Sequence, residues 1–179
     1  MPEPRMMFYH DGRHPLIYMY EPPMQREEYE AAVDELAGTP IEALMFGIGD
    51  GRTVLHDTRT GELWGHNMER WPHLIFRRAH QNAKHLIEEG NDPLRIICDR
   101  AHAKGMLVYP TLLVQQKSGE RGVDTRGSDF RFDNKHLEIG APSDVGPDFP
   151  GYECLDFKHE EVREERFALI DETLTRYPV

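Results

Sequence analysis

Six residues carry the side-chain chemistry that a small polar ligand needs: Asp11, Asp50, Arg52, Trp64, Tyr109 and Gln115. Each lies at, or in the loop just beyond, an apolar run that reads as a strand. Asp11 sits in His10-Asp11-Gly12, after Arg5-Met6-Met7-Phe8-Tyr9, and Asp50 and Arg52 follow Ala43-Leu44-Met45-Phe46 in Gly47-Ile48-Gly49-Asp50-Gly51-Arg52. Tyr109 and Gln115 come from Met106–Pro110 and the stretch after it, and Trp64 from the excursion after the second run. Carboxylates and amides exchange hydrogen bonds with hydroxyl groups, and a guanidinium can also fix a substrate carboxylate. An indole presents a flat apolar face for stacking. The set is read as substrate-binding, for a neutral, hydroxyl-rich molecule. Each has a bland counterpart: an Asp-Gly turn at Asp11, an Asx turn at Asp50-Gly51-Arg52, and a core position for Trp64.

Other chemistries find less support. The glycines of Gly47–Gly51 suggest a dinucleotide loop, but that fingerprint needs a helix straight after it, and a β-like segment follows. Ten histidines are present, yet no H-x3-H pair and no Cys/His cluster occurs, so no metal site and no cofactor are expected. There is no G-x-S-x-G, and Cys98 and Cys154 read as buried thiols rather than nucleophiles. Asp129, Asp133 and Asp148 lie in a long loop. A catalytic pair of acids is not assignable.

The elements that must position these groups alternate. The first strand is expected at Arg5–Tyr9, with a second extended run at Leu16–Tyr20. A helix from about Gln25 to Leu36 carries Tyr29, Ala32, Val33 and Leu36 at i, i+3, i+4 and i+7. Ala43–Phe46 is a continuous apolar strand of the kind covered on both faces in parallel sheets. Thr53–Leu55 and Glu62–Trp64 flank Asp57–Gly61, a short hairpin or Ω-like excursion, followed by a helix from Leu74 to Glu89 with Ile75, Ala79, Ala83, Leu86 and Ile87 at helical spacing. Asp92-Pro93 then supplies an N-cap and a first-turn proline for a helix with Leu94, Ile97, Cys98 and Ala101 on its buried stripe. Met106–Pro110 is the third strand, Gln115–Tyr152 a long polar loop, and His159–Tyr177 the last helix, with Val162, Ile170, Leu174 and Tyr177 inward. Three strands alternating with helices imply an α/β fold of parallel (β/α) units. The chain is read as a single domain, 1–179, forming the first part of a TIM-type barrel that is incomplete here and expected to continue beyond 179. About 250 residues are usual for the whole barrel.

Composition narrows the partners. Lys+Arg 21 against Asp+Glu 32 gives a net charge of −11. An acidic surface repels phosphate backbones, so neither nucleic acid nor an anionic membrane is expected as a partner. No run approaches membrane-spanning length, and Met1–Arg5 opens no signal peptide, which leads to a cytoplasmic expectation.

Three stretches resemble one group of proteins. They are Val33–Thr39 followed by Leu44–Gly51, Asp92–Arg95 through Ala101–Met106, and Leu155–Arg163 running into Arg176–Val179. These are similar to the glycoside-hydrolase-like (β/α)8 barrels, most of whose members are uncharacterised bacterial proteins, and only to their N-terminal portion. The resemblance implies carbohydrate metabolism. The chain would then be the N-terminal part of a carbohydrate-active hydrolase, a fragment inactive alone, that contributes substrate-positioning residues at the C-terminal ends of strands one to three. Its partner would be an oligo- or polysaccharide. The alternative is a non-catalytic sugar-binding or assembly module, a half-barrel that forms a homo-oligomer or pairs with a missing C-terminal barrel half.

Overall fold

The computed structural model describes residues 3–114, 119–146, 148–149 and 151–179. Its centre is a mostly parallel open sheet. Strand β1 (Met7–His10) pairs in parallel with β2 (Ala43–Asp50), and β2 pairs in parallel with β5 (Leu107–Leu113). Beyond Asp50 the chain turns back at Gly51, so that β3 (Thr53–Val54) runs antiparallel to the end of β2, and β4 (Glu62–Leu63) pairs with β3 in parallel, which makes the segment between them an excursion and not a hairpin. The order β1–β2–β5 follows the chain, as consecutive βα crossovers produce.

Helices cover one face only. α1 (Arg26–Asp34), α2 (Leu74–Glu88) and α3 (Pro93–Ala103) form the layer. Tyr29, Val33, Ala79, Ala83, Leu86, Ile97 and Cys98 pack there against Leu44, Phe46, Ile48 and Val108 of the strands. These are the expected stripes of all three helices, and both cysteines are buried and free. The start of α3 is also as its residues dictate: Asp92 accepts the backbone N–H of Leu94 at 3.1 Å, and Pro93 needs no donor. On the opposite face, residues in register point together. Tyr9, Met45 and Tyr109 form one row across β1, β2 and β5. No helix among the described residues covers it, and Tyr9 stays 54% and Tyr109 43% exposed.

Three expectations are corrected. Leu16–Tyr20 is not extended: Pro15–Met19 form a π-helical turn, started by Pro15 and by Asp11 Oδ1, which accepts the backbone N–H groups of Arg13 and His14 at 3.0 Å each. The third strand does not stop at Pro110 but runs to Leu113, because β5 pairs on one side only and an edge strand tolerates a missing donor. In the last helix, α6 (Glu160–Arg176), Ile170 and Leu174 are 41% and 62% exposed, while Glu165, Arg166, Leu169, Glu172 and Thr173 are buried. Its inward face is therefore largely polar. Val162 and Tyr177 are buried as expected. The long loop after β5 contains short helices α4 (Asp129–Asp133) and α5 (Pro142–Val145).

α6 is anchored through its C-terminal end. Glu172 accepts hydrogen bonds from Thr58 Oγ1 (2.8 Å), the backbone N–H groups of Arg59 (2.7 Å) and Thr60 (3.0 Å), the Thr60 hydroxyl, and Arg176 (2.5 Å). Burial disfavours its charge, but these donors prevail and hold its pKa down at about 2. Tyr177 donates to Asp92 Oδ2 at 2.5 Å and stands edge-on to His56, 5.3 Å between ring centres. His56 is buried with neither ring nitrogen hydrogen-bonded, and burial lowers its pKa to about 4. No helix among the described residues is long and apolar enough to cross a membrane.

Candidate functional site

A cleft of about 340 Å³ opens where the three parallel strands end. Its floor is the backbone of Gly47 and Gly49 in β2; Tyr9, Asp11 and Arg13 line one side and Thr111 and Leu113 the other. The floor needs its glycines. A Cβ on Gly12, whose φ is +73°, would lie 1.8 Å from the Gly47 carbonyl oxygen, and one on Gly47 would lie 2.5 Å from that of Asp11. The segment after β1 therefore lies directly on β2, and this contact carries Asp11 and Arg13 to the cleft. A register shift between Gly47 and Gly49 bends β2 at the same point.

The strongest interaction here is an ion pair. Arg13 Nη1 donates to Asp50 Oδ2 at 2.8 Å, with the Asp50 side chain fully buried and that of Arg13 24% exposed. Burial raises the pKa of Asp50, while Arg13 and Arg126 favour its charge. The indole N–H of Trp64 favours it too, although it reaches no partner in hydrogen-bond geometry. Beside the pair, the Thr111 hydroxyl is buried with no hydrogen-bond partner. Just behind Asp11, His10 stacks on Phe46 at 5.2 Å, and its Nδ1 accepts the Gly12 N–H at 3.0 Å. Burial lowers its pKa, so the ring is neutral near pH 7.

The six sequence-selected residues separate. Asp11 lines the cleft with its Oδ1 occupied in the turn, whereas Asp50 is buried behind the lining and reaches the cleft only through Arg13, which holds its charge. Tyr109 lies on the bare face below them, in the row with Tyr9. Arg52 is elsewhere: its Nε donates to Glu62 at 3.1 Å, its Nη1 to Glu165 at 3.4 Å, and it lies over the Phe130 ring. Successive residues of an extended chain alternate sides, and Arg52 sits at the hairpin turn, so it cannot serve Asp50. Trp64 is 1% exposed and packs edge-on against Phe76, so its ring has no face to offer a ligand. Gln115 lies outside the described residues.

Sequence reasoning missed Arg13, Tyr9 and Thr111. Arg13 is three residues past the end of β1, where its position as a polar residue after a strand is the signal that marks it. Thr111 became visible only once the strand was carried past Pro110. Tyr9 was counted as part of the strand rather than as an exposed aromatic.

The site offers hydroxyl, carboxylate and guanidinium groups above two exposed tyrosine rings. That is hydrogen-bonding and stacking chemistry. Glycoside cleavage needs two carboxyl groups flanking the bond, and Asp11 and Asp50 are committed to a turn and an ion pair. Away from the cleft, Glu62, His66 and Asp129 bring one ligand atom each to within 4.8 Å of one another, a combination that can hold a metal ion. Comparison with known proteins returns no matching family model and no matching curated protein.

Proposed function

We propose that the cleft binds a saccharide, and that the three parallel strands are the opening (β/α) units of a TIM-type, glycoside-hydrolase-like barrel to which this segment contributes substrate-positioning groups. The observation that carries the reading is the row Tyr9–Met45–Tyr109 lying exposed beneath a polar cleft at the C-terminal strand ends. Strand C-termini are where such folds hold ligands. Exposed aromatic rings two strands apart, roughly 10 Å, match an extended chain of sugar rings.

Calorimetric titration with a panel of neutral oligosaccharides tests it. Tyr9→Ala and Tyr109→Ala should each weaken binding by roughly fivefold, the equivalent of about 1 kcal/mol, with little change in thermal midpoint, since neither anchors the helical core. Absence of binding across the panel, or unchanged affinity in both variants, rejects the reading.

A second reading, a half-barrel module that self-associates, is favoured by the apolar groups left open on the same sheet face and on α6: Met7, Leu113, Phe167 and Leu174. Sedimentation equilibrium separates the two, because a monomer that binds sugar excludes it.

A further inference from the structure

The excursion after β2 and the loop after β5 are joined by Glu62, His66 and Asp129. His66 Nε2 lies 2.9 Å from Asp129 Oδ2 and 3.2 Å from Glu62 Oε2. Its other nitrogen, Nδ1, lies 3.1 Å from the carbonyl oxygen of Leu63, which can only accept. Nδ1 therefore carries the ring proton, and in the neutral ring Nε2 presents a lone pair. Three electron-pair donors then converge, one of them, Glu62 Oε2, also accepting the backbone N–H of Asp129.

The far side of each group is held by another partner. Glu62 Oε1 accepts from Arg52 at 3.1 Å, and Asp129 Oδ1 accepts from Asn67 at 3.0 Å and Arg121 at 2.7 Å. The backbone N–H of Asp129 donates to Glu62 Oε2 at 2.8 Å and sets the spacing of the two carboxylates. Outer partners on the remote carboxylate oxygens, and the histidine N–H on a backbone carbonyl, are the arrangement that orients metal ligands. Zinc bonds of about 2.0–2.2 Å place tetrahedral ligand atoms roughly 3.3–3.5 Å apart, so the two spacings from His66 Nε2, 2.9 and 3.2 Å, need adjustments of only tenths of an ångström, and the two carboxylate oxygens lie within 4.8 Å of each other. Side-chain exposures of 15%, 26% and 39% leave an entry path.

We propose that Glu62, His66 and Asp129 form a divalent transition-metal site of the zinc class, which staples the β3–β4 excursion to the loop beginning α4. One imidazole selects a borderline metal over magnesium or calcium, and water completes the coordination. The site is separate from the saccharide cleft and does not depend on that reading.

The test uses the full chain, stripped with a chelator and titrated calorimetrically with zinc chloride. One equivalent should bind saturably and raise the thermal midpoint. His66→Gln should weaken that binding by more than the ~10–100-fold that losing an outer partner costs, and His136→Gln, on an exposed turn, should leave it unchanged. If His66→Gln does not fold, the ring ¹⁵N signals of the wild type decide, with Nε2 of His66 shifting on addition of one equivalent. Absence of saturable binding below ~1 mM, wild-type affinity in a folded His66→Gln, or an Nε2 signal that zinc does not move would overturn the site. A protonated His66 bridging the two carboxylates would then be its only role.

Discussion

Replacing Arg13 with methionine keeps the aliphatic stem and removes the guanidinium that holds Asp50. Asp50 is fully buried and Arg13 a quarter exposed, so the damage falls on the carboxylate. Breaking a buried pair by deleting one partner costs about 3–5 kcal/mol. Arg126 also favours the Asp50 charge, which places the expectation at the low end, about 3 kcal/mol, or roughly 6–12 °C in thermal midpoint for a chain of this size. Asp50→Asn removes the buried charge itself while Arg13 retains water, so Arg13→Met/Asp50→Asn should recover part of the loss, a coupling of about 2 kcal/mol. The sign of the pH dependence is fixed. Burial already raises the Asp50 pKa, and without Arg13 it rises further. The folded state then holds a proton that the unfolded state releases, so stability falls as pH rises through that window. Urea unfolding followed by circular dichroism at pH 7 and pH 5 should show the Arg13→Met deficit shrinking at the lower pH, while that of the double variant stays constant. A deficit under about 1 kcal/mol at pH 7, or a double variant as unstable as the sum of the singles, would refute the argument that Arg13 neutralises a buried charge.

Two further outcomes follow from groups outside the cleft. Trp64→Ala should cost about 3–5 kcal/mol through loss of a core ring, seen as a large fall in thermal midpoint; a fall of only a degree or two would contradict its burial. On acidification the protein should lose stability in two overlapping stages. The His56 pKa is depressed from 6.5 to about 4, so its contribution is present above 6.5 and lost as pH falls toward 4. Glu172, lowered from 4.5 to about 2, contributes above 4.5, and that stability is lost between 4.5 and 2. Each stage is worth about 3 kcal/mol at most. Urea midpoints from pH 7 to 4 should fall more steeply for the wild type than for His56→Leu, and equal slopes would remove His56 as the cause.

Much of the fold was legible because local signals and packing agree. Tyr29, Val33, Ala83, Leu86 and Ile97 fall at helical spacing, and the helix–sheet layer buries them. Legibility failed where a neighbour distant in sequence decides. Leu174 has the right period to be buried, yet α6 turns Glu172 inward because Thr58, Thr60 and two backbone N–H groups about 112 residues away wait there as donors. Trp64 had the chemistry of a sugar platform, but its neighbour Phe76 comes from the next helix, and a loop tryptophan carries no mark of that. The cleft was half visible. Position after a strand selects Asp11 and Asp50, whereas the identity of Asp50's partner depends on how the chain after β1 crosses β2.

That crossing rests on two glycines and sets which parts of the cleft are adjustable. With Gly12 and Gly47 touching backbone to backbone, the floor has no side chain to lengthen, recharge or remove. A substitution there would push β1 off β2 and carry Arg13 away from Asp50. On the proposed saccharide reading, ligand preference is retuned along the rim, at Tyr9, Thr111 and Leu113. A mutational scan should divide accordingly, with an intolerant strip of main chain bordered by positions that trade one ligand for another.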